Sequence, residues 1–367
     1  MRKKVLIVIA ILLLIFFGKA IVTALNLSPF LLQVFFNKNI DLKKTQDRIN
    51  VLLLGVGGGV HQGPDLTDTI IFASMDIKNN KVILVSIPRD LWITDLNARI
   101  NTAYSSAQAK RKGGGILLSS AVVKKVTNHT IDYTVKIDFN GFVKTIDILE
   151  GIDIDVKSAF DDYKYPIEGY ENDSCGYSED DIKAFTATIS AEIDIQEKFI
   201  CRYKRLHFDK GIIRMDGQTA LEFVRSRHAE GSDGTDFSRS KRQEQVIKAV
   251  KDKIFSINFF LNPAKVIGVY DTLKNSIDTN IEEEEVDDFI KLANKMKKAE
   301  IRSVVLDNGD AQKGRPGLLA NPPISSVYEN QWVLIPRIGN GDFSEIQKYV
   351  DCEIKIGNCP VSENPSN

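Results

Sequence analysis

The chain has 367 residues, of which 43% are hydrophobic and 26% are charged, a composition that is typical of a globular protein and excludes a disordered one. Its 48 Lys and Arg residues are balanced by 49 Asp and Glu residues, which gives a formal net charge of -1 at pH 7. This balance argues against nucleic acid as a partner, so an anion site must come from local clustering of cations.

The N-terminal segment predicts a membrane anchor. Three basic residues precede two apolar stretches, Val5–Phe17 and Ala20–Leu25, which together approach the ~20 residues needed to cross a bilayer. The basic leader places residues 1–4 in the cytoplasm, one transmembrane helix at residues 5–27, and the rest of the chain outside the cell membrane. A cleaved signal peptide is the alternative, and it also exports the body of the protein.

After a juxtamembrane connector at residues 28–48, the chain alternates strand-like and helix-like segments. This alternation predicts an α/β fold, a three-layer α/β/α domain with a central mixed β-sheet. Asn79 and Asn80 predict a hairpin turn between two of the strands. Strands are predicted at Ile49–Leu54, Thr69–Met75, Lys81–Ile87, Tyr133–Phe139 and Ile152–Val156, and helices at Ile116–Val126, Phe142–Leu149 and Gln243–Phe255.

A single extracytoplasmic domain is predicted over residues 49–355, because no linker rich in Pro, Gly or Ser divides this stretch. Residues 161–205 are rich in Asp, Tyr, Glu and Ser and interrupt the alternation of strands and helices, which indicates an insertion. Residues 356–367 are predicted to be a disordered tail.

Export of the domain changes how its four cysteines are interpreted. None of them forms a C-x-x-C pair, so the spacing indicates neither a zinc site nor a dithiol redox motif. An oxidising compartment favours the local disulfides Cys175–Cys201 and Cys352–Cys359. Four cysteines permit three connectivities, and free buried thiols are the remaining alternative.

A glycine-rich loop, from Gly55 to Asp68, follows the first predicted strand. It lacks the Gly-Lys-Ser/Thr of a P-loop, and Val60 stands where a dinucleotide fingerprint needs its third glycine, so nucleotide binding is not indicated. Asp65 and Asp68 offer hard oxygen ligands, which suit Mg²⁺ (or Mn²⁺) held jointly with substrate phosphates. The alternative is that both carboxylates cap turns.

Arg89 follows the third predicted strand, in the sequence S-I-P-R-D. Because Pro88 cannot continue a central ladder, the chain leaves the sheet there and presents Arg89 at its edge. A guanidinium at that position can clamp a phosphate through two parallel N–H donors. The alternative is a surface ion pair with Asp90.

The densest basic cluster of the chain begins at residue 225. If the chain is extended after a short helix capped by Asp216, Arg225 and Arg227 point to the same side. The next helix starts beside them, and its basic face continues into Val246 and Val250. The positive end of that helix favours a phosphate, and a solvated basic face is the alternative. The cluster consists of Arg225, Arg227, His228, Arg239, Lys241 and Arg242, with Gln243 on the same predicted helix face.

Six motifs follow one another in a fixed order along Ile49–Ile254. They are L-L-L-G at Leu52–Gly55, T-D-T at Thr67–Thr69, S-I-P-R-D at Ser86–Asp90, R-I-N-x-A-Y at Arg99–Tyr104, D-G-Q-T-A-L-E-F-V-R-S-R-H at Asp216–His228 and D-F-x-R-x-x-R-Q at Asp236–Gln243. In this order they resemble the LytR-CpsA-Psr family. The resemblance implies a Mg²⁺-dependent phosphotransferase that moves a glycopolymer from an undecaprenyl-type polyprenyl pyrophosphate carrier to peptidoglycan. It also implies an apolar tunnel for the lipid tail between the sheet and the helices.

The resemblance also implies roles for single residues. Asp68 would bind Mg²⁺, and Arg89 and Arg227 would act with it as catalytic residues. One departure is that Gly57 stands where the family usually has an aspartate, so Asp65 would have to supply the first magnesium carboxylate. The residues implied to hold the pyrophosphate are Arg89, Arg99, Asn101, Arg225, Arg227, Arg239, Arg242 and Gln243.

Two alternatives to glycopolymer transfer stay open. Water could replace the acceptor, which would make the protein a polyprenyl-pyrophosphate glycan hydrolase that uses the same charged residues. A non-catalytic module that binds lipid-linked glycan is the other alternative, and the missing carboxylate at Gly57 favours it. In a transferase, a hydroxyl of peptidoglycan would be the nucleophile, and Asp90 is the predicted general base.

Overall fold

The computed structural model describes residues 39–58, 65–188, 197–227, 229, 234, 236–254, 276–310 and 314–363. The predicted anchor, most of the connector and His228 lie outside these residues. Among the helices that the structure describes, none is both long enough and apolar enough to cross a bilayer.

Strands and helices alternate through the described residues. The strands are β1 Arg48–Val56, β2 Thr67–Asp76, β3 Lys81–Ser86, β4 Trp92–Ile93, β5 Ala98–Arg99, β6 Tyr133–Asp138, β7 Ile152–Val156, β8 Phe160–Pro166, β9 Tyr203–Phe208, β10 Gly211–Met215, β11 Ile277–Thr279, β12 Glu300–Val305, β13 Gly309–Asp310, β14 Arg315–Pro316, β15 Leu319–Ala320 and β16 Ile335–Pro336. The helices are α1 Thr102–Gln108, α2 Gly114–Thr127, α3 Phe139–Ile148, α4 Glu179–Thr188, α5 Gly217–Arg225, α6 Asp236–Ile254, α7 Val286–Lys295 and α8 Ser344–Lys355.

A six-stranded mixed sheet lies at the centre of the fold, in the order β11-β6-β1-β2-β3-β12. β1 pairs in parallel with β6, β3 pairs in parallel with β12, and the other three neighbouring pairs are antiparallel. The hairpin predicted at Asn79 and Asn80 joins β2 to β3, and Asn80 has a φ of 56°. The predicted α/β class with a central mixed sheet is therefore confirmed.

Helices cover both faces of this sheet. Along β1, Leu52 and Leu54 belong to one apolar cluster and Val51 to another, which is the alternation expected of a strand buried on both faces. The first face is covered by α1, α2 and α8, and Val123 of α2 is fully buried there. The second face is covered by α7, which contributes Leu292.

A second lobe packs beside the sheet and carries the basic cluster. The ladders β7–β10 and β8–β9 and helices α3, α5 and α6 enclose a separate apolar cluster that includes Phe160 and Phe223. Helix α6 spans Asp236–Ile254, so Arg239, Arg242 and Gln243 lie on one helix, as predicted. Val246 is buried in this cluster and Val250 packs against it, so among the described residues these two side chains belong to the lobe's own core.

The predicted insertion, residues 161–205, begins in β8 and ends in β9, which pair with each other. It is therefore an extension of a two-stranded ladder. Its described part contains α4 and the disulfide Cys175–Cys201, and a second disulfide joins Cys352 in α8 to Cys359 beyond the end of that helix. Both predicted pairings are confirmed.

The tail predicted to be disordered from residue 356 is packed against the domain through its described part. Val361 lies against the apolar cluster on the first face of the sheet. Arg337 donates a hydrogen bond from Nη2 to the carbonyl oxygen of Ser362 at 2.7 Å. Residues 364–367 lie outside the described residues.

Candidate functional site

Two adjoining cavities open at the end of the sheet where β2 begins and β3 and β12 end. The narrower one has a volume of about 40 Å³ and lies between this sheet end and α6. The wider one, of about 240 Å³, extends towards the second lobe. Both are lined by Asp68, Thr69, Arg89, Arg227 and Arg239. The cations of the S-I-P-R-D, R-S-R-H and D-F-x-R-x-x-R-Q motifs therefore meet in one place.

Arg89 is held by two carboxylates. Its Nη1 donates to Oδ1 of Asp68 at 2.6 Å, and its Nε lies 3.4 Å from Oδ2 of Asp90. Burial opposes the charged form of this guanidinium, but Asp68 and Asp90 outweigh that effect and raise the pKa of Arg89 above its ordinary value. Arg89 therefore stays cationic wherever the protein is folded.

Asp90 connects Arg89 to Arg99. Oδ1 of Asp90 accepts a hydrogen bond from Nη1 of Arg99 at 2.8 Å, and Asp90 is buried. Asp90 lines the narrow cavity, whereas Arg99 lines neither of the two. The structure thus brings Arg99 to the site as a partner of Asp90, without contact to the cavities.

Helix α6 delivers two of the predicted residues to the narrow cavity. Arg239 donates from Nη2 to the carbonyl oxygen of Asp68 at 2.5 Å, and Gln243 donates from Nε2 to Oγ1 of Thr69 at 3.3 Å. Both side chains therefore join the start of α6 to the start of β2, one helical turn apart.

Arg225 and Arg227 line the wide cavity, as predicted for an extended chain after a capped helix. Asp216 caps α5 by accepting a hydrogen bond from the backbone N–H of Thr219, and α5 ends at Arg225. The guanidinium of Arg225 lies 4.2 Å from the ring centre of Phe139, and its Nη1 donates to the hydroxyl of Tyr165 at 3.2 Å. Burial raises the pKa of Tyr165 to about 12, so this hydroxyl stays protonated.

Arg242 does not line either cavity, which corrects its predicted place on the phosphate-facing side of α6. It is 4% exposed, and its Nη2 donates to the carbonyl oxygen of Ser226 at 2.6 Å. Its guanidinium lies 4.9 Å from the ring centre of Phe160, inside the second lobe. Arg242 is therefore a buried side chain beneath the site.

Asn101 and Asp65 also lie outside the linings of both cavities. Asn101 is buried, and its backbone N–H donates to the carbonyl oxygen of Arg89 while its own carbonyl accepts from the N–H of Thr67. Asn101 thus holds the backbone at the start of β2 and in the segment that follows β3. Asp65 is exposed in the turn before β2, and its charge acts on Tyr104, whose pKa is raised by burial and by nearby carboxylates.

The carboxylates near the cavities offer few ligands to a divalent cation. Among the described residues, the one group of three potential metal ligands is Asp173 with Cys175 and Cys201, and its cysteines are joined in a disulfide. At the cavities, Asp68 is 36% exposed, and Arg89 engages only its Oδ1. This donor set fits a magnesium ion bound by one protein carboxylate and by substrate phosphates, but not one enclosed by protein ligands.

The sequence reasoning missed the side chains that the second lobe adds to the wide cavity. Asp162 is fully buried in β8, on the same inward face as Phe160, and a carboxylate at an inward position of a strand is the signal that could have found it. The aromatic residues carry no local signal of a site. The missed lining residues are Phe139, Asp162, Tyr165, Pro166 and Tyr203.

Comparison with known proteins gives one family. The sequence model of the LytR_cpsA_psr family matches residues 31–316. Polyisoprenyl-teichoic acid–peptidoglycan teichoic acid transferase TagV of Bacillus subtilis is 28% identical over 255 residues, 67% of this chain and 52% of its own length. Polyisoprenyl-teichoic acid–peptidoglycan teichoic acid transferase TagU of Oceanobacillus iheyensis is 27% identical over 246 residues, 66% of this chain and 61% of its own length. The chain thus spans less than two thirds of the length of either relative.

The fold is similar to that of solved structures. Protein gbs0355 from Streptococcus agalactiae superimposes with a TM-score of 0.55 at 20% sequence identity, over 84% of this chain and 88% of that protein. At this level of identity the likeness concerns the fold alone.

Proposed function

This chain belongs to the LytR_cpsA_psr family, whose sequence model spans residues 31–316, and from this premise we propose that it transfers a glycopolymer from a polyprenyl pyrophosphate carrier to peptidoglycan. The transferase names of TagV and TagU support this proposal. The observation that carries it is the meeting of Arg89, Arg227 and Arg239 at two adjoining cavities.

The charges at the cavities support a pyrophosphate diester as the ligand. Three arginines and the carboxylate of Asp68 line both cavities, which leaves a local charge of about two positive units. A pyrophosphate diester carries two negative charges, so the two match. The arginines are Arg89, Arg227 and Arg239. Further charges around the cavities cancel, because Arg99 faces Asp90 and the wide cavity holds one more arginine and one more carboxylate. Local charge thus matches the ligand although the whole chain is almost neutral.

The two cavities differ in a way that suits the two ends of a lipid-linked glycan. Beyond the shared arginines, the narrow cavity is lined by Ile70, Ile87 and Val305, which suit the first prenyl carbons. The wide cavity offers Tyr203 and the paired Arg225, whose polar and aromatic groups suit the first sugar. We therefore place the lipid phosphate towards the sheet and the glycan phosphate towards the second lobe.

In this orientation, an acceptor hydroxyl of peptidoglycan attacks the phosphorus of the glycan phosphate. The new P–O bond joins the glycan phosphate to peptidoglycan, and the bond to the bridging oxygen breaks so that prenyl phosphate leaves with that electron pair. Arg89, Arg227 and Arg239 line both cavities and can therefore neutralise the charge that develops on the leaving and transferred phosphates. The proton of the hydroxyl is lost to solvent or to the departing phosphate.

Two further groups have supporting roles. Both oxygens of Asp90 face arginines, at 2.8 Å from Arg99 and at 3.4 Å from Arg89, which favours a positioning role over the predicted role of general base. Asp68 would hold Mg²⁺ together with the phosphates, and the ion would supply charge neutralisation at the pyrophosphate. Asp65, which lines neither cavity, is not needed for this ligand set.

We place the domain on the outer surface of the cell membrane, held by the predicted anchor at residues 5–27. Two disulfides, Cys175–Cys201 and Cys352–Cys359, support an oxidising compartment. A site that acts on a lipid-linked donor and on peptidoglycan would find both substrates there.

The test is a transfer assay with the full-length protein in detergent, a short-chain polyprenyl-pyrophosphoryl oligosaccharide labelled in its sugar, Mg²⁺ and peptidoglycan fragments. We expect the label to appear on peptidoglycan. Arg227→Ala should lower the rate about 100-fold, because one oriented cation is lost. Arg214→Ala is the matched control, since Arg214 is an exposed arginine paired with Asp153 in the ladder β7–β10 and should leave the rate unchanged.

Two outcomes would contradict the proposal. Release of glycan phosphate into solution without labelled peptidoglycan, across several acceptors, would make the protein a hydrolase. Tight binding of the donor without any turnover, across several glycans, would make it a binding module.

A further inference from the structure

We propose that Asp162 and Arg242 form a buried clamp that positions Arg225 and Arg227 at the wide cavity. This inference rests on the proposed function of the same site. The clamp acts on Ser226, the residue between the two arginines, and neither Asp162 nor Arg242 needs to reach the phosphates themselves.

Ser226 is fully buried and is held on two sides. Its carbonyl oxygen accepts a hydrogen bond from Nη2 of Arg242 at 2.6 Å, and its hydroxyl donates to Oδ2 of Asp162 at 2.7 Å. The same carboxylate oxygen accepts from the backbone N–H of Arg227 at 3.1 Å. One acceptor and two donors of a two-residue segment are therefore fixed by two charged side chains.

This fixation determines where the arginines point. Helix α5 ends at Arg225, and Ser226 has the non-helical angles φ -53° and ψ 127°, at the margin of the extended region. In an extended segment, successive side chains point to opposite sides, so the two residues that flank a third share a side. Because the clamp holds the side chain of Ser226 inward, Arg225 and Arg227 are both directed towards the wide cavity, which they line.

The clamp is itself built into the core of the second lobe. Asp162 and Phe160 lie on the inward face of β8, and Oδ1 of Asp162 accepts a hydrogen bond from the backbone N–H of Lys164 at 3.0 Å. Arg242 comes from α6 and lies 4.9 Å from the ring centre of Phe160. Burying two charged side chains costs free energy that apolar residues of the same volume would avoid. Fixing the segment between Arg225 and Arg227 is the role that we assign to these buried charges.

A positioning role for Arg242 differs from the direct phosphate contact that the sequence resemblance implied. Arg242 is 4% exposed and lines neither cavity, so its effect on a ligand must pass through Ser226 and its neighbours. Its removal should therefore matter less when one of the two arginines that it positions is absent. This conditional effect is what separates a clamp from a direct ligand contact.

The experiment is a double-mutant cycle on the full-length protein in detergent, with inorganic pyrophosphate as the probe and its affinity measured by ³¹P NMR titration. Arg242→Met removes the donor and keeps the volume, and it is made both in the wild-type chain and in Arg227→Ala. We expect a ~10-fold loss of affinity in the wild-type chain, as for one charge-assisted hydrogen bond, and less than about a threefold loss in Arg227→Ala. Arg214→Met is the control and should leave the affinity unchanged.

A similar ~10-fold loss in both backgrounds would mean that Arg242 touches the ligand, and it would overturn the clamp. Undiminished affinity in a folded Arg242→Met protein would overturn it as well. If Arg242→Met does not fold, the same cycle with Ser226→Ala, which deletes a single hydroxyl, gives the answer. A wild-type protein that neither binds pyrophosphate nor transfers glycan would instead refute the proposed function.

Discussion

Replacing Arg89 by lysine separates the charge of this side chain from its shape. One guanidinium places Nη1 2.6 Å from Asp68 and Nε 3.4 Å from Asp90 while it lines both cavities. An ammonium keeps the charge but cannot hold two carboxylates and present a planar pair of donors to a phosphate. Loss of one organised donor costs about 2.7–4 kcal/mol in a transition state, so kcat/KM for glycan transfer should fall about 100- to 1000-fold.

The same substitution should leave the fold nearly as stable. The side chains of Arg89 and Asp68 are 31% and 36% exposed, so their ion pair contributes at most about 1 kcal/mol to the free energy of unfolding. Urea unfolding is measured beside the transfer kinetics. Arg48→Lys is the matched control, because Arg48 pairs with Asp76 at the opposite end of the same sheet and should not alter kcat/KM. Full kcat/KM in Arg89→Lys, or a loss of several kcal/mol in unfolding free energy, would refute the reasoning.

Three other predictions concern the disulfides, a buried tyrosine and the metal. A disulfide stabilises the fold by lowering the chain entropy of the unfolded state, and more so when it closes a longer loop. Opening Cys352–Cys359, with a separation of 7 residues, should therefore lower the free energy of unfolding by about 2.5 kcal/mol, and opening Cys175–Cys201, with a separation of 26, by about 1 kcal/mol more. Equal losses in urea unfolding would contradict this explanation. The pKa of Tyr165 is about 12 in the fold and 10.0 ordinarily, so its contribution to stability is present below pH ~10 and is lost as the pH rises towards ~12. Tyr165→Phe should therefore flatten alkaline unfolding between these values, and an unchanged curve would argue against a buried hydroxyl. Asp68→Asn should weaken the binding of Mg²⁺ in the presence of pyrophosphate at least ~10-fold in calorimetric titration, whereas Asp65→Asn should not; the reverse order would move the metal to Asp65.

Much of the central sheet could be predicted because its strands carry a strong local signal. β1 alternates buried residues towards two faces, and Asn79 and Asn80 mark the hairpin between β2 and β3. The edge strands β11 and β12 carry no such sequence signal. β11 has only three residues, and both strands pair with strands that are far away in the sequence. Strand order was therefore found only in the structure.

Residues of the candidate site could be predicted where their position depends on a single strand or helix. Arg89 follows a strand that Pro88 must end, and Arg239 lies near the start of a helix, so their general positions follow from local rules. Arg242 was misplaced for a physical reason. On a helix, Arg242 and Gln243 are ~100° apart with Arg239 between them, so one edge of the face meets the cavity while the other faces β8.

The partners of Asp162 could not be found from sequence, because Ser226 and Arg227 are 64 and 65 positions away. The same holds for the pairing of Arg225 with Tyr165 across 60 positions. These contacts depend on how β8 packs against the end of α5, and no short motif records that packing.

The most direct test of the account follows the two phosphates of the donor separately. The donor is a short-chain polyprenyl-pyrophosphoryl oligosaccharide with ¹⁴C in the sugar and ³²P in the glycan phosphate, incubated with the full-length protein, Mg²⁺ and peptidoglycan fragments. We expect ¹⁴C and ³²P to appear on peptidoglycan in equal amounts while unlabelled prenyl phosphate is released. Peptidoglycan that carries ¹⁴C without ³²P would contradict this expectation, because the bond broken would then be the glycosidic one and the arginines would not serve phosphoryl transfer.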